Sequence, residues 1–282
     1  MKKIKFLLIL LVSSIIVSSC GETKKEESTE AVLESKDSTA IEKEEFTQFE
    51  FDKMMANFPK PMEIESEIVN AGIKFDKITI NSLENLPNYQ TESKKALNFG
   101  TYAVDLGYLA AFDKKQDALK YFKNTRQLAV DLNAVESFDK VAGANIENQL
   151  ANKDTLIRIA DDVYYDSYTY IKSSNKLEVA TLIVAGSWIE SQFHALSALK
   201  SYPRNTKTEK LYNKIYEQQT HLSNLLNVLK QFEGKEEFNA LITDFSTLLE
   251  MYKSVKETKE LTQEIAVKFQ KEVEAVRAKI IK

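Results

Sequence analysis

The segment LEVATLIVAGSWIESQFHAL, Leu177 to Leu196, decides the fold. From Val179 to Ile189 it presents apolar or small residues on every side of a helix, and such a helix belongs either in a membrane or in the middle of a protein. These 11 residues fall well short of the roughly 20 needed to cross a bilayer. The spacing therefore predicts a central helix, started by the cap-like Asn175-Lys176-Leu177-Glu178 and running to about Leu199, with other helices packed around it.

Working outward, Ser93 to Phe112 has the same character, with its polar positions confined to one stripe of Asn98, Thr101, Asp105 and Tyr108. Asp113-Lys114-Lys115-Gln116 resembles a capping box opening a helix with Ala118, Leu119, Phe122, Leu128, Ala129 and Leu132 inside. Ser137 to Ala151 reads as a weaker helix and Asp154 to Ile171 as a stronger one. After the break at Tyr202-Pro203-Arg204-Asn205, Thr206 with Glu209 is expected to cap a helix ended by Gly234, and two more follow, around Phe245 and Phe269. Seven glycines and four prolines leave little punctuation for hairpins. Short connections favour antiparallel neighbours, so the expected fold is all-α, an antiparallel bundle of about seven to eight helices over residues 46–282. Residues 46–90 read as irregular or mixed, with a helix ended by Gly72 and an extended piece through Phe75, Ile78 and Ile80.

The amino end carries an address. Three lysines in Met1 to Lys5 precede an apolar run from Phe6 to Val17, a charged region followed by a hydrophobic region too short to span, as in an export signal over residues 1–19. Val17-Ser18-Ser19-Cys20 then resembles the lipobox of bacterial lipoproteins. That resemblance implies cleavage before Cys20, lipid on its thiol and acylation of its new amino group, and Gly21 in place of Asp favours the outer membrane. Lys24-Lys25-Glu26-Glu27 is similar to short surface-export signals. Cys20 is the only cysteine, so no disulfide can form within the chain. Residues 21–45 hold nine acidic residues, four lysines and no aromatic residue, the composition of a disordered tether behind the lipidated Cys20. With +3 before residue 20 and −5 in 21–45, the overall −4 leaves −2 for residues 46–282. No basic stripe points to nucleic acid. The stretches KALNFGTYAVDLGYLAAFDKKQDALKYF and ATLIVAGSWIESQFHAL resemble an uncharacterised family of helical lipoproteins from Gram-negative bacteria, a resemblance over most of residues 58–200 that implies no activity.

Chemistry-bearing motifs are sparse. The domain lacks thiols and any glycine-rich phosphate cradle, so no catalytic residue, cofactor or metal site is assigned. Both histidines follow a carboxylate by one turn, Glu190 with His194 and Glu217 with His221, a spacing that puts each pair on one helix face. Both histidines are expected at the edges of their apolar stripes, solvated or capped. Asp105, Tyr108, Asp166, Trp188 and Glu190 are the candidates for an acidic and aromatic cleft that would take a small cationic or sugar-like ligand. Against this, Arg158, Asp162 and Asp166 follow the pattern of a solvated face, and Tyr164 and Tyr168 that of rim packing. The sequence leads to the expectation of a lipid-anchored binding or scaffold module of the outer membrane, with the membrane and an envelope protein as partners. The alternative is a solute binder, or less readily an enzyme, using the cleft near Asp105, Asp166 and Glu190.

Overall fold

The computed structural model describes residues 46–56, 58–142 and 152–282, so Cys20, the export signal, the tether and the end of the expected Ser137–Ala151 helix lie outside the described residues. Ten α-helices are found among those described: α1 Gln48–Met55, α2 Pro61–Asn70, α3 Glu92–Ala111, α4 Lys115–Asp131, α5 Val135–Ala142, α6 Lys153–Ser173, α7 Leu177–Leu199, α8 Glu209–Leu229, α9 Glu236–Lys253 and α10 Gln263–Ile280. The count exceeds the expectation because residues 46–90 are more ordered than they read. They form α1, α2 and two 3-10 turns, Lys77–Thr79 and Leu83–Asn88, the first of which lies where an extended piece was expected.

The two helices read as central are central. Every residue from Val179 to Leu196 of α7 and from Ala96 to Ala111 of α3 is buried. No helix among the described residues is long and apolar enough to cross a membrane. Helices joined by short connections pair antiparallel. Lys95 near the start of α3 meets Asp131 at the end of α4, and Asp244 and Tyr252 of α9 meet Lys279 and Phe269 of α10. The central pair runs the same way, with Glu92 bound to Lys176 where the two helices begin (2.9 Å). α3 and α7 touch backbone to backbone. A Cβ on Gly100 would overlap the Ile183 carbonyl oxygen, and one on Gly186 would overlap that of Leu97. Farther along α3, the Met62 thioether of α2 fills the notch above Gly107.

Three expected capping boxes are displaced. Asp113 and Asn175 adopt left-handed backbone, φ 56° and 59°, and close the helices before them, so α4 and α7 start after Lys114 and Lys176 without a side-chain cap. Short polar side chains serve a helix end in αL as well as an N-cap, so the same letters fit both uses. α8 starts after Thr208 rather than Thr206, because Thr208 Oγ1 donates to the Pro203 carbonyl (2.9 Å) and folds the turn on itself.

Candidate functional site

Two places concentrate polar chemistry. The first is a wholly buried charge cluster in which α2, α3, α7 and α10 each contribute. α2 contributes Glu65, which sits on that helix's apolar stripe between Met62 and Ile68. α3 contributes Asp105, α7 contributes Glu190 and His194, and α10 contributes Arg277, one turn from Val273 and Ile280. His194 Nδ1 and Glu65 Oε2 share a hydrogen bond (3.2 Å). His194 Nε2 lies 3.2 Å from Asp105 Oδ1 and 3.4 Å from Glu190 Oε1. Nε2 and Asp105 Oδ1 meet as an ion pair, and neither has an aligned hydrogen-bond partner. The outer oxygens are held. Asp105 Oδ2 accepts from the Asn81 backbone N–H (3.0 Å), and Glu190 Oε2 accepts from Arg277 Nε (2.6 Å). Arg277 Nη2 donates to Glu190 Oε1 (2.5 Å) and to the Thr79 carbonyl (3.0 Å), while its guanidinium lies 4.2 Å from the centre of the Phe193 ring. The Tyr108 ring packs 4.6 Å from the His194 ring, and its hydroxyl accepts from the Asp76 N–H.

Electrostatics follow from burial and from who faces whom. Burial and neighbouring Glu190 push the Asp105 carboxyl up to about 8. Burial pushes Glu65 upward as well, against the pull of His194. Burial would raise Glu190 too, but the Arg277 guanidinium outweighs it and holds that carboxyl at about 2. Desolvation works against a charged His194, and the surrounding carboxylates, Glu65 foremost, overcome it and hold the imidazole well above its usual value. Asp105, Glu190 and His194 each offer one atom, and these atoms all lie within 4.8 Å of one another. A cavity of about 260 Å³ is lined by Asp76, Thr79, Tyr108, His194 and Ser197 among others.

The second place is a pocket of about 380 Å³ beside α6. Its walls are Met55, Phe58, Pro59 and Lys60 from the α1–α2 connection, Asp161, Asp162, Tyr164, Tyr165 and Tyr168 from α6, and Val184 from α7. Tyr164 and Tyr168, one turn apart, stack with rings 3° from parallel and centroids 6.1 Å apart, and the Tyr164 hydroxyl hydrogen-bonds Ser187 Oγ (3.1 Å). Burial raises the Asp161 carboxyl, partly offset by Lys60.

The five candidates of the expected cleft divide between different places. Asp105, Tyr108 and Glu190 meet around His194. Trp188, on another side of α7, donates to Gln218 (3.0 Å) and packs on Phe245 and Tyr252. Asp166 is half-buried on α6 and lines neither cavity. The pocket wall comes instead from its neighbours Asp161, Tyr164 and Tyr168, and Arg158 pairs with Asp162 (2.9 Å) as the solvated-face reading expected. The expected solvated or capped His194 is corrected, since α7 is enclosed on all sides and has no exposed edge. His221 is half-buried against the Phe58 ring, and Glu217 turns outward to Lys214 (3.2 Å), so that second pair makes no site. Glu65 and Arg277 went unread, although each is a charge on the apolar stripe of its helix, and Arg277 is one of four arginines among 34 lysines. Comparison with family models, with curated proteins and with solved structures yields no match.

Proposed function

We propose that the chain is a lipid-anchored binding module of the outer membrane, tethered through Cys20, and that the pocket beside α6 takes a small polyhydroxylated, sugar-like ligand. The anchor rests on the export signal and the Val17-Ser18-Ser19-Cys20 box. A protein held by several acyl chains stays on the membrane, and an acidic tether lets the domain stand clear of it.

One observation carries the ligand reading. The pocket has about 380 Å³, within the range of small-molecule sites, and it has their makeup of aromatic walls with few polar groups. The paired faces of Tyr164 and Tyr168 suit the C–H face of a sugar ring. Asp161 and Lys60 at the wall offer an acceptor and a donor to hydroxyl groups, and their opposite charges favour a neutral ligand over an organic cation.

Titration of the purified chain with a panel of mono- and disaccharides, with tetramethylammonium as the cationic arm, tests this. A saccharide should bind and should lose affinity in Tyr168→Ala and Asp161→Asn. Its entry should also shift the emission of Trp188, which shares Phe58, Pro59 and Lys60 with the pocket as neighbours. Binding of tetramethylammonium alone, or of no member of the panel, overturns the reading.

A further inference from the structure

We propose that Asp105, Glu190 and His194 hold one divalent first-row transition cation of the Zn2+ class. This cation site is separate from the pocket beside α6. Asp105 Oδ1 and His194 Nε2 are wholly buried and 3.2 Å apart, with Glu190 Oε1 3.4 Å from Nε2, yet neither atom has an aligned hydrogen-bond partner. Leaving such atoms unsatisfied in a core is costly, and native cores seldom do it without a reason.

The spacing supplies the reason. A cation with bonds of about 2.0–2.1 Å to nitrogen and oxygen in a tetrahedron holds neighbouring ligand atoms about 3.3–3.4 Å apart. The separations from Nε2 are 3.2 Å to Asp105 Oδ1 and 3.4 Å to Glu190 Oε1, and the three atoms all lie within 4.8 Å of one another. The outer atoms are arranged as a metal site arranges them. Glu65 pairs with His194 Nδ1, the arrangement that would orient the ring so that a cation takes the place of the Nε2 proton. The Asn81 N–H and Arg277 Nε hold the far oxygens of Asp105 and Glu190. The donor set of one imidazole and two carboxylates suits a first-row cation, and it provides fewer oxygens than Ca2+ requires.

Charge agrees with geometry. A divalent cation would displace the protons that His194 and the raised carboxyls otherwise hold, and three carboxylates, one guanidinium, a neutral imidazole and the cation then sum to zero. Arg277 does not displace the ion, because a carboxylate oxygen carries more than one lone pair and Glu190 Oε1 can serve both. The cavity lined by Tyr108, Thr79 and His194 lies against the cluster and marks the side from which an ion would enter.

The chain, extracted in detergent from the cells that make it, would be stripped with a chelator and reloaded with Zn2+ or Co2+. One ion per chain is expected, with the intense visible bands of tetrahedral Co2+, and NMR should place the metal on Nε2 of His194 with Nδ1 protonated. Glu65→Gln should weaken Zn2+ binding about 10- to 100-fold with helix content unchanged. Asp105→Asn should weaken it at least as much, and His221→Asn should leave it unaltered. Should either core variant fail to fold, the spectra of the unsubstituted chain decide. A chain that takes up neither ion, an ion found away from His194 Nε2, or undiminished affinity in both folded core variants overturns the proposal.

Discussion

Gly100 and Gly186 bring α3 and α7 into direct backbone contact, five residues before Asp105 on the first helix and four before Glu190 on the second. Neither glycine has room for a Cβ, because each faces a carbonyl oxygen of the partner helix. The charged cluster depends on this approach.

Gly186→Ala therefore separates two effects of opposite sign. Helix propensity alone would stabilise the variant by about 1 kcal/mol, while overpacking against the Leu97 carbonyl costs about 1–3 kcal/mol or more. A net loss is expected in urea denaturation followed by far-UV circular dichroism. A gain in stability would show that the helices do not approach this closely.

Glu190 and Arg277 form a bidentate pair in the core, and removing one partner strands the other. Arg277→Ala should cost about 3–5 kcal/mol. A double variant, Glu190→Leu with Arg277→Met, should cost less than the two single changes added together. Additive losses in that cycle would mean the two residues are not coupled.

His221 gives a pH dependence with a definite sign. Its burial lowers the imidazole below the ordinary value of 6.5, with Glu217 and Glu63 opposing. A group whose folded pKa is depressed binds fewer protons in the native state, so it contributes full stability above about pH 6.5 and loses it as pH falls towards the folded value. His221→Asn should flatten that acid-side slope. If the melting temperatures of variant and parent fall in parallel between pH 7 and 5, His221 is not the group responsible.

The anchor proposal predicts that Cys20→Ala leaves the membrane fraction under alkaline carbonate washing while the parent chain stays. Labelling with a palmitate analogue should mark the parent and not the variant. Retention of Cys20→Ala in the washed membranes would contradict lipidation at that position.

The architecture was readable because α3 and α7 are apolar over nearly their whole circumference, a pattern only a central helix satisfies in water. Two of the five residues of the buried cluster were readable for the same reason, since Asp105 and Glu190 interrupt those two runs. Glu65 and Arg277 were not, because on an amphipathic helix a single charge ordinarily reaches solvent from the edge of its stripe. What holds Arg277 inside is Glu190 and the Thr79 carbonyl, partners far away in the chain. Helix starts were misread at Asp113 and Asn175, where the local letters serve two backbone conformations equally. His194 was misjudged by treating α7 as having an edge.

Met62 seats its sulfur in the notch that Gly107 leaves on α3, three residues before Glu65 on the same helix. α2 is thereby keyed to its neighbour by shape as well as by the pairing of Glu65 with His194. Oxidation of that thioether to a sulfoxide would add an oxygen where no space exists and lift the key from its notch. Oxidative damage at one methionine would then reach His194 through the backbone of α2, with every charged residue of the cluster left chemically intact.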